Sequence, residues 1–183
     1  MSDKIKISKI YKKKDQIFFK GPFARHISKS NNSIINILTL LRKLKLISNY
    51  YSVIVIKNIP VFGGLGGGTS NAASIFKFLL KKNINEKKFN KIENLIGSDL
   101  RLFFYKQGFL NNLKTIKNIK KKKKLIFLLS YPYINCSTRE IYSKVKKYSK
   151  KTKFSFHKTN TKKNFINFFL KNKNELQSIV EKK

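Results

Sequence analysis

The chain has 183 residues, 41% of them hydrophobic, and a formal net charge of +34 from 42 basic and 8 acidic side chains, long enough for one domain or two small ones with a core. The lone Cys136 excludes an internal disulfide, His26 and His157 lack metal-site spacing, and no apolar run approaches the ~20 residues of a membrane-spanning helix. The charge suggests a polyanion partner, yet only Arg25, Arg42, Arg101 and Arg139 carry the forked guanidinium that suits phosphate recognition; the lysine, Asn, Ile and Phe excess reads as A+T-rich codon usage, so nucleic acid is not the expected partner.

In chain order, residues 4–10 (KIKISKI) alternate Ile5, Ile7 and Ile10 with polar residues, and residues 16–20 form a second short strand; a hairpin turning at Lys12–Asp15 is expected. Ser30–Ser33 offer N-caps for a helix on which Ile34, Ile35, Leu38, Leu41 and Leu44 share a face. Residues 50–58, YYSVIVIKN, are β-branched and aromatic and read as a strand.

That strand feeds the stretch IPVFGGLGGGTSNAASIFKFLL (59–80), where Gly63, Gly64, Gly66, Gly67 and Gly68 fall close together. Such a cluster frees the backbone for positive φ and lets a ligand approach main-chain N–H groups. Thr69, Ser70 and Asn71 are candidate N-caps, and Ala72, Ile75, Phe76, Leu79 and Leu80 line one helical face. A loop opening into a helix N-terminus is suited to phosphate. A P-loop is excluded because Thr69 stands where its lysine belongs, and a dinucleotide fingerprint would need glycine at the same position. A glycine turn without a ligand is the plain alternative.

Beyond a charged connection at 81–88, Phe89, Ile92, Leu95 and Ile96 mark another amphipathic helix, closed by Gly97. Asp99 follows in IGSDLRLFF, flanked by apolar residues; it is either a turn former or cap, or a partly desolvated base. Residues 105–124 read as a lysine-rich linker, and 125–131, LIFLLSY, as a buried strand. A helix capped by Ser137 or Thr138, a polar loop at 147–163 and a final helix over roughly 163–181 complete the chain.

The run from Pro60 through Gly64-Leu65-Gly66-Gly67-Gly68-Thr69-Ser70-Asn71-Ala72-Ala73 resembles the P-x-x-x-G-L-G-x-S-S-A phosphate loop of the GHMP small-molecule kinases. Its GLGGG[ST]SNAA form is most similar to the 4-diphosphocytidyl-2-C-methyl-D-erythritol kinases of non-mevalonate isoprenoid synthesis. IGSDLRLFF resembles that family's G-A-D-V-P-F-F, with Arg101 in place of proline, and NCSTREIYSKVK resembles its V-S-T-x-x-x-Y/F. The resemblance implies ATP held with Mg²⁺ by Gly63, Gly64, Leu65, Gly66, Gly67, Gly68, Thr69 and Ser70. It further implies Ser70 or Thr69 against Mg²⁺ or a β-phosphate, Asp99 as catalytic base, and Tyr142 either stacked on the substrate's cytosine or packed on a domain face.

The fold class expected is α/β (α+β): a GHMP-kinase-like, ribosomal-protein-S5-domain-2-like ATP-binding domain over 1–118, then part of a second α/β substrate domain from 125 to 183. The family's P-A-K-[IL]-N-L and G-S-G-x-x-x-F segments have no match, so the chain is expected to be truncated at both ends and a poor enzyme by itself. The function expected is ATP-dependent phosphorylation of the hydroxyl of 4-diphosphocytidyl-2-C-methyl-D-erythritol, a small-molecule substrate, in the cytoplasm and without a membrane partner. The rival reading is a degenerate kinase fold acting as a non-enzymatic binder of RNA or another polyanion.

Overall fold

The computed structural model describes residues 1–80, 84–111, 115–119, 124–131, 134, 136–146, 161–172 and 174–182. They fall into two units, Met1–Lys120 and Lys121–Lys183.

The first unit is built on a sheet whose middle strand is its most apolar. Strand β1 (Lys4–Ile10), β2 (Gln16–Lys20) and β3 (Tyr50–Ile56) are ordered β1-β3-β2. The expected hairpin is therefore corrected: β1 pairs antiparallel and β2 parallel with β3, which lies between them. Val53 and Val55 are fully buried while Ile5, Ile7, Ile17 and Phe19 are partly so, and the strand with the most to bury takes the place with two ladders. Asp15, in the connection that was to be the turn, instead accepts the Tyr51 N–H at 2.8 Å and the Arg42 guanidinium at 3.0 and 3.1 Å.

Helix α1 (Ser33–Lys43) starts at Asn32, whose side chain accepts from the N–H groups of Ile34 and Ile35. Its buried face of Ile34, Ile37, Leu38 and Leu41 shares one core with Val53, Val55, Ala72, Ile75, Phe76, Ile92 and Leu100. Helix α2 (Gly67–Leu79) and α3 (Glu86–Ile96, capped by Asn85) supply the other walls. A 3-10 helix, Leu100–Phe104, is held by three rings packed edge to face. Phe76, Phe89 and Phe104 have centroids 5.3 to 5.9 Å apart, which places the segment that begins at Asp99. Part of the expected linker is a two-stranded ribbon, β4 (Gly108–Asn111) with β5 (Thr115–Asn118).

In the second unit α4 (Thr138–Ser143) is capped by Ser137, and α5 (Lys162–Lys171) by Thr161. Two expectations are corrected here. Residues 125–131 form no strand and expose Ile126, Phe127 and Leu128 by 89%, 81% and 98%. An apolar run supplies no ladder partner by itself. The final helix is interrupted: α5 ends at Lys171, and the Asn174 side chain, accepting from Leu176 N at 3.1 Å, turns the chain into the short α6 (Gln177–Val180). Residues 120–123 of the lysine-rich linker, most of the loop read at 147–163 and residues 81–83 lie outside the described residues.

Candidate functional site

The glycine stretch leaves β3 and enters α2 earlier than the sequence suggests. Gly66, at φ +63°, is the N-cap in left-handed conformation, and the helix runs from Gly67. Thr69, Ser70 and Asn71 are thus inside the helix rather than candidate caps. The first intrahelical bond takes the Ser70 N–H to the Gly66 carbonyl at 2.8 Å, so that N–H is not free for a ligand. Among the described residues the N–H groups of Gly64 through Thr69 have no partner. Free donors at a helix N-terminus favour an anion.

Two glycines are required by what surrounds them. A Cβ on Gly66 would lie 2.8 Å from Phe103 Cζ and 3.2 Å from Asp99 Oδ2, and one on Gly97 would lie 2.8 Å from Asp99 Oδ1 and 3.3 Å from Thr69 Oγ1. The Asp99 carboxylate and the Thr69 hydroxyl therefore border one gap beside the loop. Asp99 is half-buried and starts the 3-10 helix, but its side chain caps nothing. Its backbone carbonyl forms the turn by accepting from Leu102 N at 3.0 Å, which leaves the carboxylate available.

The company of the other acids sharpens this. In the first unit Asp3 pairs with Lys57, Asp15 with Arg42, and Glu86 and Glu93 with Arg101. Asp99 alone has no ion pair or hydrogen bond to its side chain among the described residues, in a chain of net charge +34.

Arg101 points the other way. Its Nε reaches Glu93 Oε2 at 2.8 Å, its Nη2 reaches Glu86 and Asn90, and its guanidinium lies over the Phe89 ring at 4.7 Å. Burial acts to lower its pKa, but the two carboxylates outweigh this and raise it. The arginine thereby ties the Asp99 segment to α3. Arg101→Ala should cost on the order of 3 kcal/mol, the usual consequence of leaving a buried carboxylate such as Glu93 without its partner; urea unfolding measures this, and a loss below about 1 kcal/mol would contradict it.

A second cluster lies behind the loop, and the sequence reading did not find it. Asp3 Oδ2 accepts from the Lys57 ammonium and from Asn71 Nδ2 at 2.8 Å, and Oδ1 accepts from Asn58 N at 2.8 Å and Ile59 N at 2.9 Å. Burial would raise the carboxyl's pKa; Lys57 and the three N–H donors outweigh it and hold the pKa below the ordinary aspartate value. Since the folded chain then binds fewer protons than the unfolded one, the stabilisation is complete above about pH 4 and drains away as pH falls through the lowered value. Acid unfolding of Asp3→Asn should accordingly be less steep than that of the parent, which a pH series of unfolding free energies will show; identical slopes would contradict the assignment.

Tyr142 lies on α4 in the second unit and is 52% exposed. Leu65 is exposed at the loop tip, while Gly68 faces Ser33 Oγ at 3.4 Å from its would-be Cβ. Among the described residues no cluster of three or more His, Cys, Asp or Glu side chains could hold a metal, and no helix is long and apolar enough to cross a membrane.

The mixed α/β layer presents a glycine loop and a helix N-terminus beside an unpaired carboxylate, and the relatives found for the chain are kinases. Those relatives are 4-diphosphocytidyl-2-C-methyl-D-erythritol kinases by name. The chain is 39% identical over 155 residues to the one from Pelagibacter ubique (strain HTCC1062), covering 82% of this chain and 55% of that protein. It is 37% identical over 128 residues to the one from Sulfurihydrogenibium sp. (strain YO3AOP1), covering 66% and 46% respectively. The chain thus spans about half the length of the curated relatives it matches. A crystal structure of 4-(cytidine 5'-diphospho)-2C-methyl-D-erythritol kinase is similar with a TM-score of 0.51 at 19% identity, over 77% of this chain and 50% of that one, a likeness of fold. No protein-family model matches the chain.

Proposed function

We propose that the chain carries the phosphate-binding and proton-accepting parts of a kinase that transfers the γ-phosphoryl group of ATP to the hydroxyl of 4-diphosphocytidyl-2-C-methyl-D-erythritol. The observation that carries the reading is the unpaired Asp99 carboxylate against Gly66, beside the free N–H groups of the loop. In this reading residues 1–118 are a GHMP-kinase ATP-binding domain of the ribosomal-protein-S5-domain-2 type, and a substrate domain begins at 125. The mixed sheet-and-helix layer and the likeness to the solved kinase support it.

The site fits a nucleotide's phosphates. Gly63 to Thr69 offer a loop with donors and little side-chain bulk, and a Cβ at Gly66 or Gly67 would crowd its neighbours. The Ser70 contribution is confined to its hydroxyl, because its N–H is in the helix ladder; with Thr69 it would hold Mg²⁺, which when bound neutralises charge on the phosphate oxygens. The acceptor's O–H proton passes to an Asp99 carboxylate oxygen as its oxygen bonds to the γ-phosphorus and the bond to the ADP oxygen breaks. The loop N–H groups position the phosphates and offset the charge that develops. Tyr142 would stack on the cytosine, its exposed ring leaving it open to a ligand.

Incubation with Mg-ATP and 4-diphosphocytidyl-2-C-methyl-D-erythritol, followed by phosphorus NMR, tests the reading. Appearance of ADP together with a phosphomonoester on the acceptor is expected. Release of inorganic phosphate at a rate that ignores the acceptor would overturn it.

A further inference from the structure

The N–H groups of Gly64–Thr69 have no partner among the described residues, so their aim is set largely at the loop's two ends, and one carboxylate touches both. On the entry side Asp3 Oδ1 takes the N–H groups of Asn58 and Ile59, at 2.8 and 2.9 Å. On the exit side Oδ2 takes the Asn71 amide of α2 at 2.8 Å, and the same oxygen takes the Lys57 ammonium from the entry side. The Asp3 and Lys57 side chains are 2% and 3% exposed, and Asn71 is 5% exposed. Gly67 closes the same junction: a Cβ there would lie 3.0 Å from Ile59 Cγ2 and 3.3 Å from Lys57 Nζ. Between these fixed points Phe62 and Leu65 are exposed, Phe62 and Gly64 have positive φ, and a Cβ on Gly64 would meet nothing within 4 Å.

From this we infer that Asp3 is a positioning residue for the loop: by bridging residues 57–59 to Asn71 it sets the distance between the loop's ends, and so aims the N–H groups of Gly64–Thr69 before any phosphate arrives. The inference rests on reading that loop as the phosphate site. Its physical basis is preorganisation, since a segment whose N–H groups have no partner among the described residues would otherwise have to be ordered at the expense of binding free energy. The ammonium of Lys57 completes the bridge, because without it the carboxylate would be buried with its charge largely uncompensated. The contact depends on position rather than on charge alone. The β1–β3 register pairs Lys4 with Ile56, which brings Asp3 alongside Lys57 and the chain that leaves the sheet for the loop.

The test uses the full chain and two readouts. Asn71→Leu removes the exit-side bond but leaves the bonds from Asp3 to Lys57, Asn58 and Ile59 in place. Ile37→Ala, a core change in α1, serves as a control of comparable loss in Tm. Amide order parameters for Gly64–Thr69 should fall from rigid values near about 0.85 toward about 0.6 in Asn71→Leu and stay high in the control. Affinity for Mg-ATP should weaken by about tenfold in Asn71→Leu only, the 1.4 kcal/mol of one decade. Asp3→Asn should show the same pattern more strongly, and if it does not fold, Asn71→Leu decides the matter. Unchanged loop order in Asn71→Leu, or a change matched by the control, overturns the positioning role. A loop that loses order in Asn71→Leu while the parent binds no Mg-ATP overturns the phosphate reading and leaves the bridge standing.

Discussion

Gly66→Val should weaken Mg-ATP binding by at least about 100-fold, or about 2.8 kcal/mol at 1.4 kcal/mol per decade. Three effects act together at this position. Gly66 has φ +63°, where a β-branched residue is strained. Its Cβ would come within 2.8 Å of Phe103 Cζ and 3.2 Å of Asp99 Oδ2, so ring and carboxylate must shift. The same residue caps α2, and a shift there re-aims the N–H groups of the first turn. Gly64→Ala is the informative comparison. Its φ is +67° but no atom lies within 4 Å of the added Cβ, so only the backbone strain of ~1–2 kcal/mol applies. Calorimetry on the two variants should therefore rank Gly66→Val well below Gly64→Ala. Equal affinities in the parent and Gly66→Val would show that phosphate binds elsewhere.

Asp99→Asn should lower phosphoryl transfer by about 10²–10⁴, the range that general-base catalysis contributes. Mg-ATP affinity should stay within about threefold, because the loss falls on a group used in the transition state rather than in nucleotide binding. The fold should be unaffected, since the Asp99 carboxylate takes no hydrogen bond among the described residues. Single-turnover transfer to the acceptor separates the two quantities. Transfer at the parent rate would assign the proton to another group.

What was legible in the sequence is what is local. The glycine cluster, the apolar face of α2 and a capped start of α1 within Ser30–Ser33 depend on residues within a few positions and can be read locally, whereas α3 starts at Glu86, capped by Asn85, inside the stretch read as a charged connection. Strand pairing depends on distant partners. Residues 4–10 and 16–20 have the pattern of a hairpin, and only the greater apolar content of Tyr50–Ile56 signals that a third strand comes between them. Residues 125–131 illustrate the same limit from the other side, with strand composition and no strand assignment. At the loop, the run Thr69-Ser70-Asn71 has the side chains of N-caps, but Gly66 reaches the left-handed conformation at less steric cost and starts the helix first. Asp3 was hidden in a polar N-terminal stretch. A usable signal was present nonetheless: with 8 acidic residues in a chain of net charge +34, each carboxylate has many bases to choose from. Asp3, Asp15 and Glu93 take one, and Asp99 does not.

The central claim is that one site contains the free N–H groups of the glycine loop together with Asp99. Amide NMR during titration with a non-hydrolysable Mg-ATP analogue tests it most directly. Saturable shifts are expected, concentrated on Gly64, Leu65, Gly66, Gly67, Gly68 and Thr69, with smaller ones at Gly97 and Asp99 and little elsewhere in the first unit. Shifts spread over the lysine-bearing surface and abolished by moderate salt, with the loop amides unmoved, would contradict it and mark the interaction as nonspecific anion attraction.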